Sequence, residues 1–220
     1  MNVERWSLGR MQNPVRGFLH GGAAVAALVT GFILVLYAPT WPMRAAVAVF
    51  ALAAVGLYVT SSLYHSIPWS EMGKVRMQRV DHSMIYVLIA GTYTPALFVV
   101  LDSPWRWVAL GVAWGIVSFG VVRQLFHRGN KQAFSVALST TLGWLGVFLV
   151  WPFIVELGWL AFALIVLGGA LYTIGMVFMV TNRPRLWPRV FSYHEVFHVM
   201  VVLATITHFV VLARYVVPMA

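Results

Sequence analysis

The sequence contains no cysteine, and only 10% of its 220 residues are charged. The absence of cysteine excludes a disulfide framework and any metal site built from thiolates, so a metal would have to be held by His, Asp, Glu or Ser. A water-soluble domain of this size needs about a quarter of its residues charged. With 61% hydrophobic residues and a mean hydropathy of +0.84, the chain is typical neither of a disordered protein nor of a soluble globule. The composition predicts a polytopic membrane protein.

Acidic residues are few as well: six Asp and Glu stand against fifteen Lys and Arg, which gives a net charge of +9. In a soluble protein this charge would point to nucleic acid. Here the basic residues fall in short, separated loops, as they do in membrane proteins that use Lys and Arg to fix their topology. We therefore expect no nucleic-acid partner.

Long apolar runs make up most of the sequence, and seven of them reach the roughly 20 residues that a helix needs to cross a bilayer. Clusters of Pro and Trp mark several junctions between them, and Trp suits the membrane interface. No internal repeat divides the chain. We predict an all-α protein with a short cytoplasmic tail over residues 1–17 and one seven-helix transmembrane domain over residues 18–217, with spans at about 18–38, 44–65, 81–101, 106–126, 134–152, 159–180 and 193–217.

The distribution of basic residues predicts the orientation. The N-terminal tail and the second, fourth and sixth loops carry twelve Lys and Arg, whereas the opposite side carries three. Because positive residues are retained in the cytoplasm, the N-terminus is expected there and the C-terminus outside. The twelve are Arg5, Arg10, Arg16, Lys74, Arg76, Arg79, Arg123, Arg128, Lys131, Arg183, Arg185 and Arg189, and the three are Arg44, Arg106 and Arg214.

Ionisable side chains inside a membrane are costly, so each is a functional hypothesis by default. His65 ends the second predicted span, and His194 and His198 open the seventh, on the same predicted side of the membrane. His194 and His198 are four residues apart, so they share a helix face and can hold one metal ion. Three His ligands with an open fourth position is the arrangement of a catalytic zinc site.

Asp81 opens the third predicted span at the same depth. It would sit near the fourth position, either as a carboxylate beside the water of the metal or as a direct ligand, and it could take the proton of that water. The string from His194 to His198 also matches H-E-x-x-H, in which Glu195 would be the general base of a metalloprotease. Glu195 is essential in that alternative, and it is dispensable if Asp81 is the group that takes the proton of the water.

The joint pattern resembles the hemolysin III family, the bacterial branch of the progestin and adipoQ receptor superfamily that includes the adiponectin receptors. The pattern is Ser61-x-x-x-His65, Asp81 at the start of the next span, and His194-x-x-x-His198, with matching text at 62–65, 81–86, 91–95 and 194–199. The resemblance implies a seven-helix bundle with a cytoplasmic N-terminus in the bacterial plasma (inner) membrane. It implies zinc near the cytoplasmic face, held by His65, His194 and His198, with Asp81 and Ser61 acting beside its water or in catalysis.

The same resemblance implies a function. Ceramidase-like relatives are proposed to cleave a lipid amide or ester with zinc, so a membrane lipid is the expected substrate or ligand. Two alternatives stay open at this point: a haemolysin-like, membrane-lytic role in which zinc is structural, and a receptor-like sensor in which lipid or metal occupancy shifts the bundle.

Overall fold

The computed structural model describes Leu8 and residues 11–126, 131–187 and 190–220, and these residues form helices without any β-sheet. Six helical stretches among them are long and apolar enough to cross a membrane. The prediction of an all-α membrane protein is thereby confirmed. Four basic residues used for the orientation, Arg5, Arg10, Arg128 and Arg189, lie outside the described residues. The helices are α1 (Pro14–Tyr37), α2 (Trp41–Ser66), α3 (Glu71–Val100), α4 (Trp105–Phe126), α5 (Lys131–Trp144), α6 (Val150–Thr181) and α7 (Tyr193–Val211).

The helices begin where local sequence signals favour a start. Pro14 occupies the first turn of α1, where its missing N–H leaves no hydrogen bond unmade. Thr40 caps α2 by accepting a hydrogen bond from the Met43 N–H at 3.4 Å, and Ser70 caps α3 by accepting one from the Gly73 N–H at 3.2 Å. These caps fix the first turns without help from the membrane.

Helix α3 begins at Glu71, ten residues before the predicted start of the third span at residue 81. Hydropathy detects only the apolar part of a helix, whereas the Ser70 cap starts this one in the charged segment of residues 71–79. Asp81 therefore lies almost three turns inside α3 rather than at its beginning, and its side chain is 8% exposed.

The largest difference from the predicted spans lies between residues 131 and 181. Two spans were expected there, over 134–152 and 159–180, but α5, a 3₁₀ segment (Leu145–Leu149) and α6 join, and Ala133–Thr181 form one apolar stretch of 49 residues. Gly158 interrupts it with φ 81° and ψ 164°, a conformation that favours glycine. The Trp144 Nε1–H donates a hydrogen bond to Thr173 Oγ1 at 3.1 Å. A straight helix would separate these residues by about 43 Å, so the chain folds back between them, near Gly158.

Neighbouring helices pack in chain order, and α1 also packs against α7, so the first and the seventh helix are neighbours in the bundle. The core lies mainly between α1, α2, α3, α6 and α7. Many large apolar side chains face outward instead, including Phe32 (63% exposed), Leu52 (70%) and Trp159 (70%). A water-soluble monomer rarely exposes so much apolar surface, and this surface is the one that lipid covers.

Candidate metal centre

Three imidazoles converge at one end of the bundle. His65 lies in the last turn of α2, whereas His194 and His198 lie one turn apart at the start of α7. The ring centroid of His65 lies 5.1 Å from that of His194 and 4.8 Å from that of His198. The centroids of His194 and His198 are 5.0 Å apart. One potential ligand atom from each ring lies within 4.8 Å of the others. The structure thus brings together the three predicted ligands.

The donor set fits a divalent metal that accepts imidazole. Tetrahedral zinc sites have Zn–N distances of 2.0–2.1 Å, which places the ligand nitrogens about 3.3 Å apart. The present separations, of up to 4.8 Å, are of the same order but wider. The cluster is also the one group of three or more potential ligands that the described residues bring so close. It lies between the C-terminal end of α2, whose helix dipole favours a cation, and the N-terminal end of α7, whose dipole opposes one. The preference for a metal therefore rests on the donor set and not on the helix dipoles.

The position of His65 is fixed by the segment that precedes α1. The Asn13 N–H donates a hydrogen bond to the backbone carbonyl of His65 at 3.0 Å, and the Gln12 N–H donates to that of Ser66 at 3.4 Å. These carbonyls belong to the last turn of α2 and have no partner within the helix. The segment before the first helix therefore holds the end of α2 in place beside the cluster.

Ser61 and Asp81, the other predicted site residues, form a buried pair next to the cluster. Ser61 lies one helical turn before His65 on the same face of α2, and its hydroxyl lies near the Asp81 carboxylate. The side chain of Ser61 is 2% exposed. Asp81 does not belong to the group of converging ligand atoms in the described part of the chain.

Both carboxylate oxygens of Glu195 form hydrogen bonds that hold helices in place. Its Oε1 accepts a hydrogen bond from Arg16 Nε at 2.7 Å, and its Oε2 accepts one from the Ser192 N–H at 2.8 Å. The first contact is a buried ion pair between α1 and α7, and the second is part of a capping box that starts α7. Both carboxylate oxygens are therefore engaged away from the role that a general base would require.

Two residues near the cluster were not among the predicted site residues. His20 on α1 is 2% exposed, and its ring centroid lies 4.0 Å from that of His198. Arg16, predicted only as a topology charge, pairs with Glu195. Arg16 and His20 are four residues apart on one face of α1, which is the spacing that drew attention to His194 and His198. That repeated spacing is the sequence signal that could have found them.

Comparison with known proteins agrees with this pattern. A family model described as "Haemolysin-III related" matches residues 9–209, which include every residue of the site. The chain belongs to the hemolysin III family. The resemblance inferred from the sequence motifs is confirmed.

Two members of the hemolysin III family show how far the similarity extends. "Hemolysin-3" of Bacillus cereus is 31% identical over 204 residues, which cover 91% of this chain and 90% of the relative. "Hemolysin-3 homolog" of Bacillus subtilis (strain 168) is 31% identical over 162 residues, which cover 74% of this chain and 72% of the relative. Together with the six apolar helical stretches, these matches identify a multi-pass membrane protein of this family.

Proposed function

We propose that this hemolysin III family protein is a zinc-dependent hydrolase that cleaves an amide or ester bond of a membrane lipid. One observation carries the proposal: three imidazoles from two helices remote in sequence converge beside a buried carboxylate–hydroxyl pair. Such a concentration of polar groups within an apolar bundle is costly, and it is typical of a functional site.

In this proposal His65, His194 and His198 hold the zinc ion. Bound there, zinc would supply a Lewis acid for the lipid carbonyl and for the activation of a water molecule. Asp81 takes a proton from the attacking water as its oxygen bonds to the carbonyl carbon. Asp81 then returns that proton to the leaving amine nitrogen or alkoxide oxygen as the C–N or C–O bond breaks, which yields a carboxylic acid and an amine or alcohol. Ser61 orients the carboxylate through its hydroxyl.

An apolar cavity supports a lipid as the substrate. It has a volume of about 170 Å³ and lies between α2, α3, α5, α6 and α7. Leu57, one turn before Ser61, and Phe197, next to His198, both line it. Most of the other lining residues are apolar as well, as is usual for sites that take apolar ligands. A segment of an acyl chain could lie there, with Leu57 and Phe197 at the part of the cavity that adjoins the candidate site.

We propose seven membrane passes, because the hydrogen bond between Trp144 and Thr173 and the left-handed Gly158 divide the 49-residue stretch into two antiparallel passes. The excess of basic residues then supports a cytoplasmic N-terminus, an external C-terminus and a site near the cytoplasmic side of the bacterial plasma membrane. In this topology His65, His194 and His198 share one membrane depth.

The protease alternative is disfavoured because both oxygens of Glu195 are engaged by Arg16 and Ser192. A Glu195→Gln variant should therefore retain lipid hydrolysis, whereas a metalloprotease would lose its activity. The relatives are named for haemolysis, and a lytic protein or a sensor would use zinc only to join helices. Neither alternative requires the carboxylate of Asp81.

Elemental analysis of the detergent-purified protein tests the metal centre. The parent protein should carry about one zinc per chain, and the His194→Ala/His198→Ala variant should carry none. Because zinc can be lost during purification, chelators are left out of every buffer. A folded parent protein without any metal would contradict the hydrolase.

Asp81→Asn tests the reaction, with release of fatty acid from ceramide-type and ester lipids as the measurement. The variant should keep its zinc and lose hydrolysis by at least the 10²-fold that general acid–base catalysis contributes. A structural zinc site predicts equal zinc content and the same low fatty-acid release in both proteins. The matched control is His82→Gln. His82 lies on another side of α3, where its Nδ1 is 3.4 Å from Gln124 Nε2.

A further inference from the structure

Three buried aromatic rings lie against one another behind the histidine cluster. The ring centroid of His20 lies 4.0 Å from that of His198 and 5.1 Å from that of Tyr58, and each of these side chains is 2% exposed. Both ring nitrogens of His20, Nδ1 of His198 and the Tyr58 hydroxyl have no hydrogen-bond partner in the described part of the chain. These four buried polar atoms belong to three neighbouring side chains, one of which is His198 of the histidine cluster.

Buried polar atoms in folded proteins are almost always hydrogen-bonded to protein or to ordered water. The rings of His20 and His198 face each other with a tilt of 37°, so an N–H in the plane of one ring does not point at a nitrogen of the other. His20 lies near the backbone of His198, and Tyr58 lies near Thr205, but neither approach gives a hydrogen bond of acceptable geometry. Water is the molecule that can reach several of these atoms at once.

We propose that His20 is a positioning residue for the metal ligand His198, joined to it by one buried water that the Tyr58 hydroxyl shares. His198 would hold the metal through Nε2, which leaves its Nδ1–H to donate to the water. The Tyr58 O–H donates to the same water, and the water donates to a ring nitrogen of His20. Three such hydrogen bonds are the usual number for a buried water.

The reason for such an arrangement is the tautomer and orientation of the ligand. A metal-ligating His almost always gives its other ring N–H to an acceptor, which fixes the ring and raises its basicity. His20 does not belong to the converging group of ligand atoms, so it acts through His198 and not on the metal itself. This inference rests on the metal centre of the proposed function and does not depend on hydrolysis.

The test measures zinc affinity by competition with a chromophoric chelator, and the visible spectrum of the Co²⁺-substituted protein, for the parent, His20→Leu and His20→Gln. His20→Leu should bind zinc 10- to 100-fold more weakly, the usual effect of losing such a partner, and its Co²⁺ bands should shift. His20→Gln, whose amide can bond the water, should recover most of the affinity. The metal-free His20→Leu protein should melt close to the parent temperature, because the imidazole makes no direct hydrogen bond to the described part of the protein and Leu fills the same buried space.

His208→Leu is the matched control for zinc affinity. His208 is another histidine of α7 with a buried, partnerless Nδ1 among the described residues, and it lies about 15 Å further along the helix than His198. The His208→Leu protein should bind zinc as tightly as the parent protein. An equal loss in His208→Leu would show that any buried histidine affects the site, and the proposal would fail.

Parent-like zinc affinity and Co²⁺ bands in His20→Leu would overturn this inference and leave the metal centre intact. No metal binding by the parent protein would overturn the metal centre, and the inference with it. Should His20→Leu fail to fold, Tyr58→Phe replaces it, since this change removes only the hydroxyl. A smaller loss of zinc affinity with shifted Co²⁺ bands supports the shared water, and parental values refute it.

Discussion

Replacing Arg16 by Met should destabilise the bundle by about 3–5 kcal/mol, because it leaves Glu195 as a buried carboxylate without its cation. Arg16 Nε lies 2.7 Å from Glu195 Oε1, and the two side chains are 5% and 8% exposed. Met retains most of the apolar stem of Arg, so the loss is electrostatic rather than one of packing. Glu195 keeps the hydrogen bond from the Ser192 N–H at 2.8 Å, which places the expected penalty near the lower end of the range.

The free energy of unfolding is measured in detergent micelles by titration with sodium dodecyl sulfate, followed by far-UV circular dichroism. The Arg16→Met/Glu195→Gln double variant is the matched control, because the amide still accepts the Ser192 hydrogen bond but carries no charge. It should recover most of the loss. A change below about 0.5 kcal/mol for Arg16→Met, the level of an ordinary surface substitution, would refute the buried ion pair.

Two further predictions concern metal removal and helix packing. Zinc at a hundred times its Kd should stabilise the parent protein by about 2.7 kcal/mol, seen as a rise in melting temperature that a chelator reverses and that His194→Ala/His198→Ala lacks. Gly31→Ala should cost about 1–3 kcal/mol, because its Cβ would lie 2.6 Å from Ala51 Cβ in α2. Gly22→Ala, with no heavy atom within 4 Å of its Cβ, should instead stabilise α1 by about 0.5–1 kcal/mol; equal effects of the two would contradict the close approach of α1 and α2.

The convergence of the three histidines could be predicted from the sequence because two rules act on them independently. The spacing of His194 and His198 places both on one helix face. The charge of the loops then places the end of α2, and hence His65, at the same membrane side as the start of α7. Both rules concern periodicity and depth, which a single sequence contains.

The surroundings of the ligands could not be predicted in the same way, because they depend on which helices are neighbours. Hydropathy gives the number and depth of spans but not their order around the bundle. The contact between α1 and α7 brings Arg16 to Glu195 and His20 to His198, and nothing in the separate spans indicates that contact. The early start of α3 was missed for a different reason, since the Ser70 cap acts outside the apolar segment.

The cluster unites residues made early and late in synthesis, which sets a time at which it can form. His65 and His194 are 129 residues apart in the chain, and at 5–20 residues per second a ribosome needs about 6–26 s to travel from one to the other. During that interval α2 resides in the membrane with a single imidazole. In the proposed metal centre, capture of the ion would therefore be a last step of biogenesis, and a bound ion would report that α7 has been inserted and has docked.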